Sequence, residues 1–226
     1  MTNNPYFGIL LAIITYEFGV LISKKVKSPL ANPLLIAIIL SIAVLKIFKI
    51  PLEDFELGAT YIKFLLGPAT VCLVIPLYKK LDLLKKNLVA VIVGIFAGVV
   101  TSVVSMFVLS KVAGLNTELI TSILPKSITT AIGVDLAGEY GGLPAIAAFS
   151  IVITGVFGAV VGPSFLNKVG VKDEVAVGIA IGTTSHAVGT SKAMEVGEVE
   201  GAMSGLCIGI AGIITVLIMP FVVSLL

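Results

Sequence analysis

Long apolar stretches separated by short polar clusters dominate the hydrophobic pattern of this chain. A helix needs about 20 apolar residues to cross the hydrocarbon core of a bilayer. Six stretches approach that length: residues 7–22, 32–48, 59–78, 87–110, 143–166 and 201–225. Two further segments, 117–139 and 174–196, are apolar but contain polar interruptions. The pattern predicts an all-α, polytopic membrane protein with about six full transmembrane helices and two broken or re-entrant helical segments.

Charged residues between the apolar stretches indicate how the helices are oriented. Basic clusters after the first and third spans belong on the cytoplasmic side by the positive-inside rule; they are Lys24, Lys25 and Lys27, and Lys79, Lys80, Lys85 and Lys86. The segment between the second and third spans is predicted to be an external loop of mixed charge, with Lys46, Lys49, Glu53, Asp54 and Glu56. The third span is predicted to kink or break at Gly67, Pro68 and Pro76.

Composition supports the membrane assignment and excludes several other classes. Hydrophobic residues make up 58% of the 226 residues and charged residues 12%, so too few polar side chains are present to cover a soluble domain. The net charge is only +2, which gives no reason to expect a nucleic-acid partner. Cys72 and Cys207 lie within apolar spans and indicate neither a disulfide nor a metal site. No cofactor is predicted, and the first span is expected to be retained rather than cleaved.

The two polar interruptions are the most informative stretches of the chain. Residues 124–133 read LPKSITTAIG, and residues 181–192 read IGTTSHAVGTSK. A lysine, a run of hydroxyls and the single histidine are costly at membrane depth unless they meet each other, a ligand or trapped water. We therefore interpret these stretches as the working site.

The last half of the chain contains an internal repeat. A shift of 56 residues matches Glu118 with Glu174, Ala131 with Ala187, Gly133 with Gly189, Ala137 with Ala193, Glu139 with Glu195, and Gly141 with Gly197. A shift of 57 residues then matches Gly155 with Gly212 and Pro163 with Pro220. The chain is accordingly divided into N-terminal helices, residues 1–115, and a region of two repeated units, residues 116–170 and 171–226. Chance coincidence in a chain rich in Gly and Ala is the alternative.

Two topologies are compatible with this repeat. If residues 117–139 cross the membrane fully, Lys168 and Lys172 lie outside and the two units share one orientation. If the segment is a re-entrant hairpin, both lysines are cytoplasmic and the units are inverted copies. The positive-inside rule favours the hairpin, and transporters commonly join inverted repeats whose half-helix ends meet near the midplane.

The residues of the interruptions suit a small anion. Half-helices that begin near Thr129 and Ser185 would direct free N–H groups and positive dipole ends into one cavity. Lys126 adds a charge and His186 a titratable donor. The predicted substrate-binding residues are Lys126, Ser127, Thr129, Thr130, Thr183, Thr184, Ser185, His186 and Thr190. Residues assigned to coupling or gating are Asp135, Glu139, Lys192 and Glu195.

Each of these residues also has a plainer interpretation. The hydroxyls could satisfy the broken backbone, Lys126 could extend to a membrane surface, and His186 could bridge two helices. Lys192 and Glu195 could simply be exposed to water. No G-x-x-x-x-G-K-[ST], H-E-x-x-H or G-x-S-x-G motif and no Cys/His cluster is present, so an enzyme is not expected.

These motifs resemble the LrgB/CidB family of bacterial membrane proteins, whose plant relatives form part of the plastid glycolate/glycerate transporter. The residues that carry the resemblance are Pro5–Leu10, Pro76–Lys79, Leu124–Thr130, Gly141-Gly142, and Gly182–Thr190 with Lys192, Ala193 and Glu195. The opening residues are more similar to the LrgB branch than to the CidB branch.

The resemblance implies two possible functions in a bacterial plasma membrane. One is an antiholin-like regulator of murein hydrolase activity and cell lysis, acting with a small LrgA/CidA-like membrane protein. The other is a secondary transporter of pyruvate, glycolate or glycerate, again with an LrgA-like partner. The polar interruptions favour the transporter, because a regulator of a pore needs no lysine and histidine at membrane depth. A homo-oligomer is compatible with either function.

Overall fold

The structure is a computed structural model of the 226-residue chain, and it describes residues 2–26, 32–65 and 81–226 and the isolated positions 68, 72 and 78. Over these ranges the chain is helical and contains no strand. The helices are α1 (Pro5–Val26), α2 (Pro33–Ile47), α3 (Leu52–Phe64), α4 (Leu81–Val112), α5 (Thr117–Ile123), α6 (Thr130–Glu139), α7 (Pro144–Lys168), α8 (Glu174–Val196) and α9 (Glu198–Val223).

Long apolar helices confirm the predicted fold class. Among the described residues, α1, α7, α9 and the Lys85–Val112 part of α4 are each long and apolar enough to cross a membrane. The shorter α2 is also apolar. The protein is therefore an all-α, polytopic membrane protein. Its chain divides into two compact units, Met1–Cys72 and Leu73–Leu226.

The first unit packs α1 against both α2 and α3. Thr15 of α1 and Ser41 of α2 share a hydrogen bond of 3.0 Å between their hydroxyls. Gly8 and Gly58 bring α1 and α3 so close that a Cβ on either would overlap the backbone of the other helix. Small residues thus set the helix spacing, as is common where lipid removes the hydrophobic drive for helix association.

The predicted external loop of the first unit is shorter than expected. Glu53, Asp54 and Glu56 lie in the first two turns of α3 rather than in a loop. Acidic side chains at this end of a helix interact favourably with its dipole, so they mark a helix start and not only a solvated connection. Most of the remaining predicted third span, including the expected kink positions Gly67 and Pro76, lies outside the described residues.

The second unit groups α4 with the repeated segments. Helix α4 packs against α8 and α9, and its Gly94 and Gly98 lie against Ile179 and Thr183 of α8. The sequence-based division at residue 115 had grouped α4 with the preceding spans. Small residues along one face of α4 explain the observed packing, because they allow α8 to approach closely.

Helix α8 is not straight. It folds back on itself as a hairpin, which we call hairpin B (Glu174–Val196). His186 has φ 43° and ψ −140°, which interrupts the helix. A Cβ on Gly189 would lie 3.1 Å from the carbonyl oxygen of Ile181, although eight residues of straight helix would separate them by about 12 Å. Gly178 and Met194, from the two arms, both contact residues 200–203 of α9.

The segment from Thr117 to Glu139, which we call hairpin A, folds back in the same way. Its arms are α5 and α6, and residues 124–129 form its tip. A Cβ on Gly133 would lie 3.2 Å from the carbonyl oxygen of Pro125. Both partners lie 56 residues before the pair Gly189 and Ile181 of hairpin B. The repeat seen in the sequence is thus accompanied by an equivalent tertiary contact.

The two hairpins approach the bundle from opposite ends of α7. Hairpin A leads into the start of this 25-residue helix, and hairpin B follows its end. In the first third of α7, the side chain of Ile151 contacts Gly133 of hairpin A. The carbonyl oxygen of Ile151 lies 2.9 Å from His186 Nε2 of hairpin B. Both hairpins therefore contact α7 at Ile151, which is the geometry expected if the two units are inverted copies.

Candidate functional site

A cleft of about 800 Å³ opens where the two hairpin tips meet α4 and α7. Tip residues Lys126 and Ser127 line it from hairpin A, and Thr184 and Ser185 line it from hairpin B. The remaining wall consists of small, hydroxyl-bearing and aromatic residues of α4 and α7: Ala97, Gly98, Thr101, Ser102, Ser105, Thr154, Phe157, Gly158, Val161, Gly162 and Phe165. The structure thus brings four of the predicted binding residues into one cavity.

Lys126 provides the only charged side chain among the described residues that line the cleft. It is held between the buried residues Leu124, Pro125 and Ile128, which anchor the tip of hairpin A in the core. Its half-buried side chain places Nζ 3.4 Å from Ser127 Oγ, a long hydrogen bond. No described carboxylate lies within ion-pair distance of this ammonium group. A half-buried cation without a counter-ion is a favourable place for an anion.

Ser127 also fastens the tip of hairpin A to α4. Its Oγ lies 2.8 Å from Ser102 Oγ, and Ser127 is buried. A hydrogen bond between two hydroxyls leaves acceptor lone pairs on both oxygens. The pair therefore fixes the tip and still presents polar atoms to the cleft.

The hydroxyls of hairpin B lie on the other side of the cleft. Thr184 Oγ1 donates to the carbonyl oxygen of Ala180 at 2.7 Å and lies 3.2 Å from Ser185 Oγ. Gly158 of α7 faces Ser185 so closely that any Cβ there would overlap its hydroxyl. The glycine thus creates the space that lets Ser185 reach the cleft.

His186 lies behind the tip of hairpin B and is absent from the residues that line the cleft. The residue is 3% exposed, and its ring packs on Gly155 and places Nε2 2.9 Å from the carbonyl oxygen of Ile151. A carbonyl can only accept, so Nε2 carries the proton in this contact. The structure therefore places His186 as a bridge from hairpin B to α7, not beside Lys126.

The other predicted threonines support the backbone of the hairpins. Thr129 caps α6 by accepting from Ile132 N at 3.4 Å, and Thr130 is the first residue of that helix. Thr190 donates to the carbonyl oxygen of His186 at 2.9 Å and lies 2.7 Å from Ser204 Oγ of α9. These positions agree with the plainer interpretation of the hydroxyls. Thr183 is buried on the first arm of hairpin B.

The residues assigned to coupling or gating lie away from the cleft. Asp135 and Glu139 are exposed on α6. Lys192 and Glu195 form an ion pair of 2.7 Å, with 42% and 69% of their side chains exposed. Exposed pairs of this kind contribute little to stability. Nothing in their position connects these four residues with the tips.

Several cleft residues were not predicted as binding residues, although a sequence signal was available. Gly98, Thr101, Ser102 and Ser105 of α4 follow the i, i+3, i+4, i+7 spacing of one helix face. Thr154 of α7 carries a similar signal, because Thr154, Gly158 and Gly162 follow one another at intervals of four residues on one helix face.

Helix ends add to the electrostatic character of the cleft. Helix α6 begins at Thr130, directly after tip A, and the second arm of hairpin B begins after the break at His186. The start of a helix carries a partial positive charge and free N–H groups. Across the described ranges, no group of three His, Cys, Asp or Glu side chains is placed to hold a metal ion. Lys126, two helix starts and several hydroxyls together favour a small anion over a cation in this cleft.

Comparison with known proteins identifies similar proteins over nearly the whole chain. The model of the LrgB-like family matches residues 12–225. "Antiholin-like protein LrgB" of Bacillus cereus (strain B4264) is 38% identical over 220 residues, which cover 97% of this chain and 96% of that protein. The protein of the same name from Bacillus anthracis (strain A0248) has the same identity and coverage. No solved structure matches the chain.

Proposed function

The chain belongs to the LrgB-like family, and from this premise we propose that it is a secondary transporter of small monocarboxylate anions. Pyruvate, glycolate and glycerate are the substrates we propose, and no catalytic role is assigned to the protein. The proposal also places it in the bacterial plasma membrane, where an LrgA/CidA-like small membrane protein or a second copy of the chain would assist it.

The observation that carries the proposal is the position of Lys126. Its ammonium group is half-buried beside Ser127, without a described carboxylate partner, and it faces a cleft whose other described lining residues are uncharged. Leaving a cation in this state is unfavourable unless a ligand compensates it. A carboxylate would accept charge-assisted hydrogen bonds from Lys126, and the tip hydroxyls could bind the 2-oxo or 2-hydroxy group of the same molecule.

Size and architecture agree with a small substrate that moves through the protein. A cleft of about 800 Å³ accommodates an acid of a few heavy atoms together with water. Opposed hairpins with tips at the centre also provide two halves that can move against each other, which is the basis of alternating access in inverted-repeat transporters. A pore regulator requires neither feature.

The name of the relatives supports a second candidate, an antiholin-like regulator of murein hydrolase activity and cell lysis without transport of its own. Both relatives described above are named antiholin-like. This function would depend on an outer surface that docks a pore-forming partner. The cleft would then be incidental, and mutations confined to it would leave regulation unchanged.

Uptake into proteoliposomes tests the transporter proposal. Purified protein, alone and with an LrgA-like partner, should take up labelled pyruvate, glycolate or glycerate with saturable kinetics. Lys126→Gln should reduce uptake at subsaturating substrate roughly 10- to 100-fold, because a charge-assisted hydrogen bond is worth about 1.5–3 kcal/mol. Lys172→Gln removes an exposed lysine and is the matched control, which should transport normally. Absence of saturable flux for all three acids in both preparations would refute the proposal.

Orientation in the membrane can be tested separately. Lys111 lies at the end of α4, where its Nζ donates to the carbonyl oxygen of Leu226 at 3.3 Å, and hairpin A connects this end of α4 with the start of α7. Lys172 follows the other end of α7. Single cysteines at these positions, in a background without the native cysteines, should react with an impermeant reagent from opposite sides. We expect residue 172 to be cytoplasmic, and labelling of both positions from one side would contradict the inverted arrangement.

A further inference from the structure

A groove leads from one end of the second unit to the cleft. It has a volume of about 480 Å³ and lies between the first half of α4 and the first arm of hairpin B, residues 174–185. Asn87 and Asp173 line its outer end, and Gly98 and Thr184 line its inner end. Gly98 and Thr184 also line the cleft. The groove and the cleft therefore adjoin each other, and together they connect Lys126 with the ends of two helices.

The two walls of the groove follow the same periodic pattern. Lining positions on α4 include 87, 90, 94 and 98, and those on hairpin B include 173, 176, 180 and 184. Both sets have the i, i+3, i+7, i+11 spacing of one helix face. Gly94 lies against Ile179 and Gly98 against Thr183, so the two helices run side by side in the same direction. Eleven residues of helix span about 16 Å, which is roughly half the thickness of a hydrocarbon core.

Polar residues lie at both ends of the groove, and small residues lie between them. Asp173 is exposed at the outer end, where its carboxylate accepts from the backbone N–H of Ala176 at 2.9 Å and is screened by water and salt. Thr184 is exposed at the inner end. Gly94 and Ala180 line the middle, where larger side chains would exclude water. At about 30 Å³ for each molecule, the groove has room for roughly 15 waters, enough to hydrate a small anion.

The space between α4 and the tip of hairpin A is much smaller. It measures only about 10 Å³. Leu124 and Ile128 of this tip belong to the same buried cluster as Val99 and Val103 of α4. Helix α4 is thus packed tightly against hairpin A, whereas an open groove follows its junction with hairpin B.

The cleft extends toward the same end of the unit as the groove. Its α7 wall runs from Thr154 to Phe165, in the second half of that helix, and hairpin B follows the end of α7. A cleft that holds a charged side chain at membrane depth needs contact with water on at least one side. The described cavities provide this contact at the base of hairpin B.

We propose that the groove is the route by which a carboxylate reaches Lys126 from the cytoplasmic side, and that Gly94 and Gly98 set its width. The inference rests on the proposed function and on the orientation proposed above. A Cβ on Gly98 would lie 2.6 Å from Thr183 Cγ2, so a larger residue would fill the point where groove and cleft meet. A Cβ on Gly94 would meet only the side chain of Ile179, at 3.4 Å, and Gly94 does not line the cleft.

A route differs from a binding site in its effect on kinetics. An obstacle in the groove slows the entry and the release of the substrate by the same factor, because both follow the same path. The dissociation constant is the ratio of the two rates and stays unchanged. Obstruction of the groove should therefore reduce flux without reducing affinity, whereas Lys126→Gln should reduce affinity.

The first test measures whether water fills the groove, and it needs no substrate. Single cysteines replace Gly94 and Ala180 in a background without the native cysteines. Controls are Ile95→Cys and Ile181→Cys, because the next residue on each wall is buried. A thiol in water ionises and reacts, whereas a thiol in a packed core does not. A negatively charged, impermeant methanethiosulfonate should modify the groove cysteines at least tenfold faster than the controls, and from the side that modifies Lys172→Cys.

The second test measures flux after complete modification. Pyruvate uptake into proteoliposomes should fall at least tenfold in modified Gly94→Cys and Ala180→Cys, while equilibrium binding of labelled pyruvate to the purified proteins stays within twofold. Modified Lys172→Cys is the control for an adduct outside the groove and should take up pyruvate normally.

The outcomes separate the route from the proposed function. Groove cysteines that react no faster than the buried controls, or that react only from the side opposite Lys172→Cys, would overturn the route. Unchanged uptake after modification of both walls would do the same. A tenfold loss of affinity for pyruvate in the modified proteins would assign the groove to the binding site instead of the route. Absence of flux in the unmodified protein would refute the proposed function itself.

Discussion

The variant His186→Gly should be more stable than His186→Ala, which is the reverse of the usual order of glycine and alanine in a helix. His186 has φ 43° and ψ −140°, a conformation that glycine adopts readily and other residues do not. The ring compensates for this backbone through its hydrogen bond to Ile151 O and its packing on Gly155. Both variants lose the interactions of the ring, but only His186→Gly also relieves the strain in the backbone.

The expected difference follows from two opposing terms. A non-glycine residue in such a conformation costs about 1–3 kcal/mol. Glycine has greater freedom in the unfolded chain, which costs it about 0.4–1 kcal/mol relative to alanine. His186→Gly should therefore be more stable than His186→Ala by about 1–2 kcal/mol, which corresponds to roughly 2–8 °C in the unfolding midpoint of a chain of this size. Both should be less stable than the unmodified protein, because the bridge to α7 is lost.

Thermal unfolding of the purified variants in one detergent, followed by circular dichroism at 222 nm, measures this difference. Ordinary helix propensity predicts the opposite order, with alanine favoured by about 1 kcal/mol. An alanine variant as stable as the glycine variant, or more stable, would show that residue 186 continues a regular helix. The folded-back form of hairpin B would then be wrong.

Three further predictions follow from the same packing. Gly155→Ala should destabilise the protein by about 1–3 kcal/mol in thermal unfolding, because a Cβ there would lie 2.7 Å from His186 Nε2. Gly209→Ala meets no atom within 4 Å and should stabilise the protein by up to about 1 kcal/mol, the difference in helix propensity. Ser102→Ala and Ser127→Ala remove the two ends of a 2.8 Å hydrogen bond, so a double-mutant cycle should give a coupling of about 0.5–1.5 kcal/mol rather than zero. Lys192→Ala breaks an exposed ion pair and should change stability by less than about 0.5 kcal/mol, a larger loss being contrary to its exposure.

The sequence predicted the all-α membrane fold class because that class depends on a local pattern. Apolar length identifies the spans, and the match of Gly133 with Gly189 reflects a close contact that only a small residue allows. The broken segments were also recognised, since polar residues inside an apolar stretch require partners. The start of α3 was missed, because Glu53, Asp54 and Glu56 were interpreted as loop residues rather than as the acidic first turns of a helix.

The arrangement of the site could be predicted only in part. Lys126 and Ser185 line one cleft, but sequence alone could not show that the next residue, His186, points the other way. That direction is set by the backbone angles at the break and by the space that Gly155 leaves on α7. The contribution of α4 depends on which helices pack together, and this information is distributed over residues far apart in the chain.

Binding of a labelled 2-oxo monocarboxylate to the purified protein tests the central claim most directly. The unmodified protein and Lys172→Gln should bind pyruvate saturably with the same affinity, and Lys126→Gln should bind it roughly 10- to 100-fold more weakly, the loss of one charge-assisted hydrogen bond. An unchanged affinity in Lys126→Gln would contradict the assignment of the cleft between the hairpin tips as a carboxylate site.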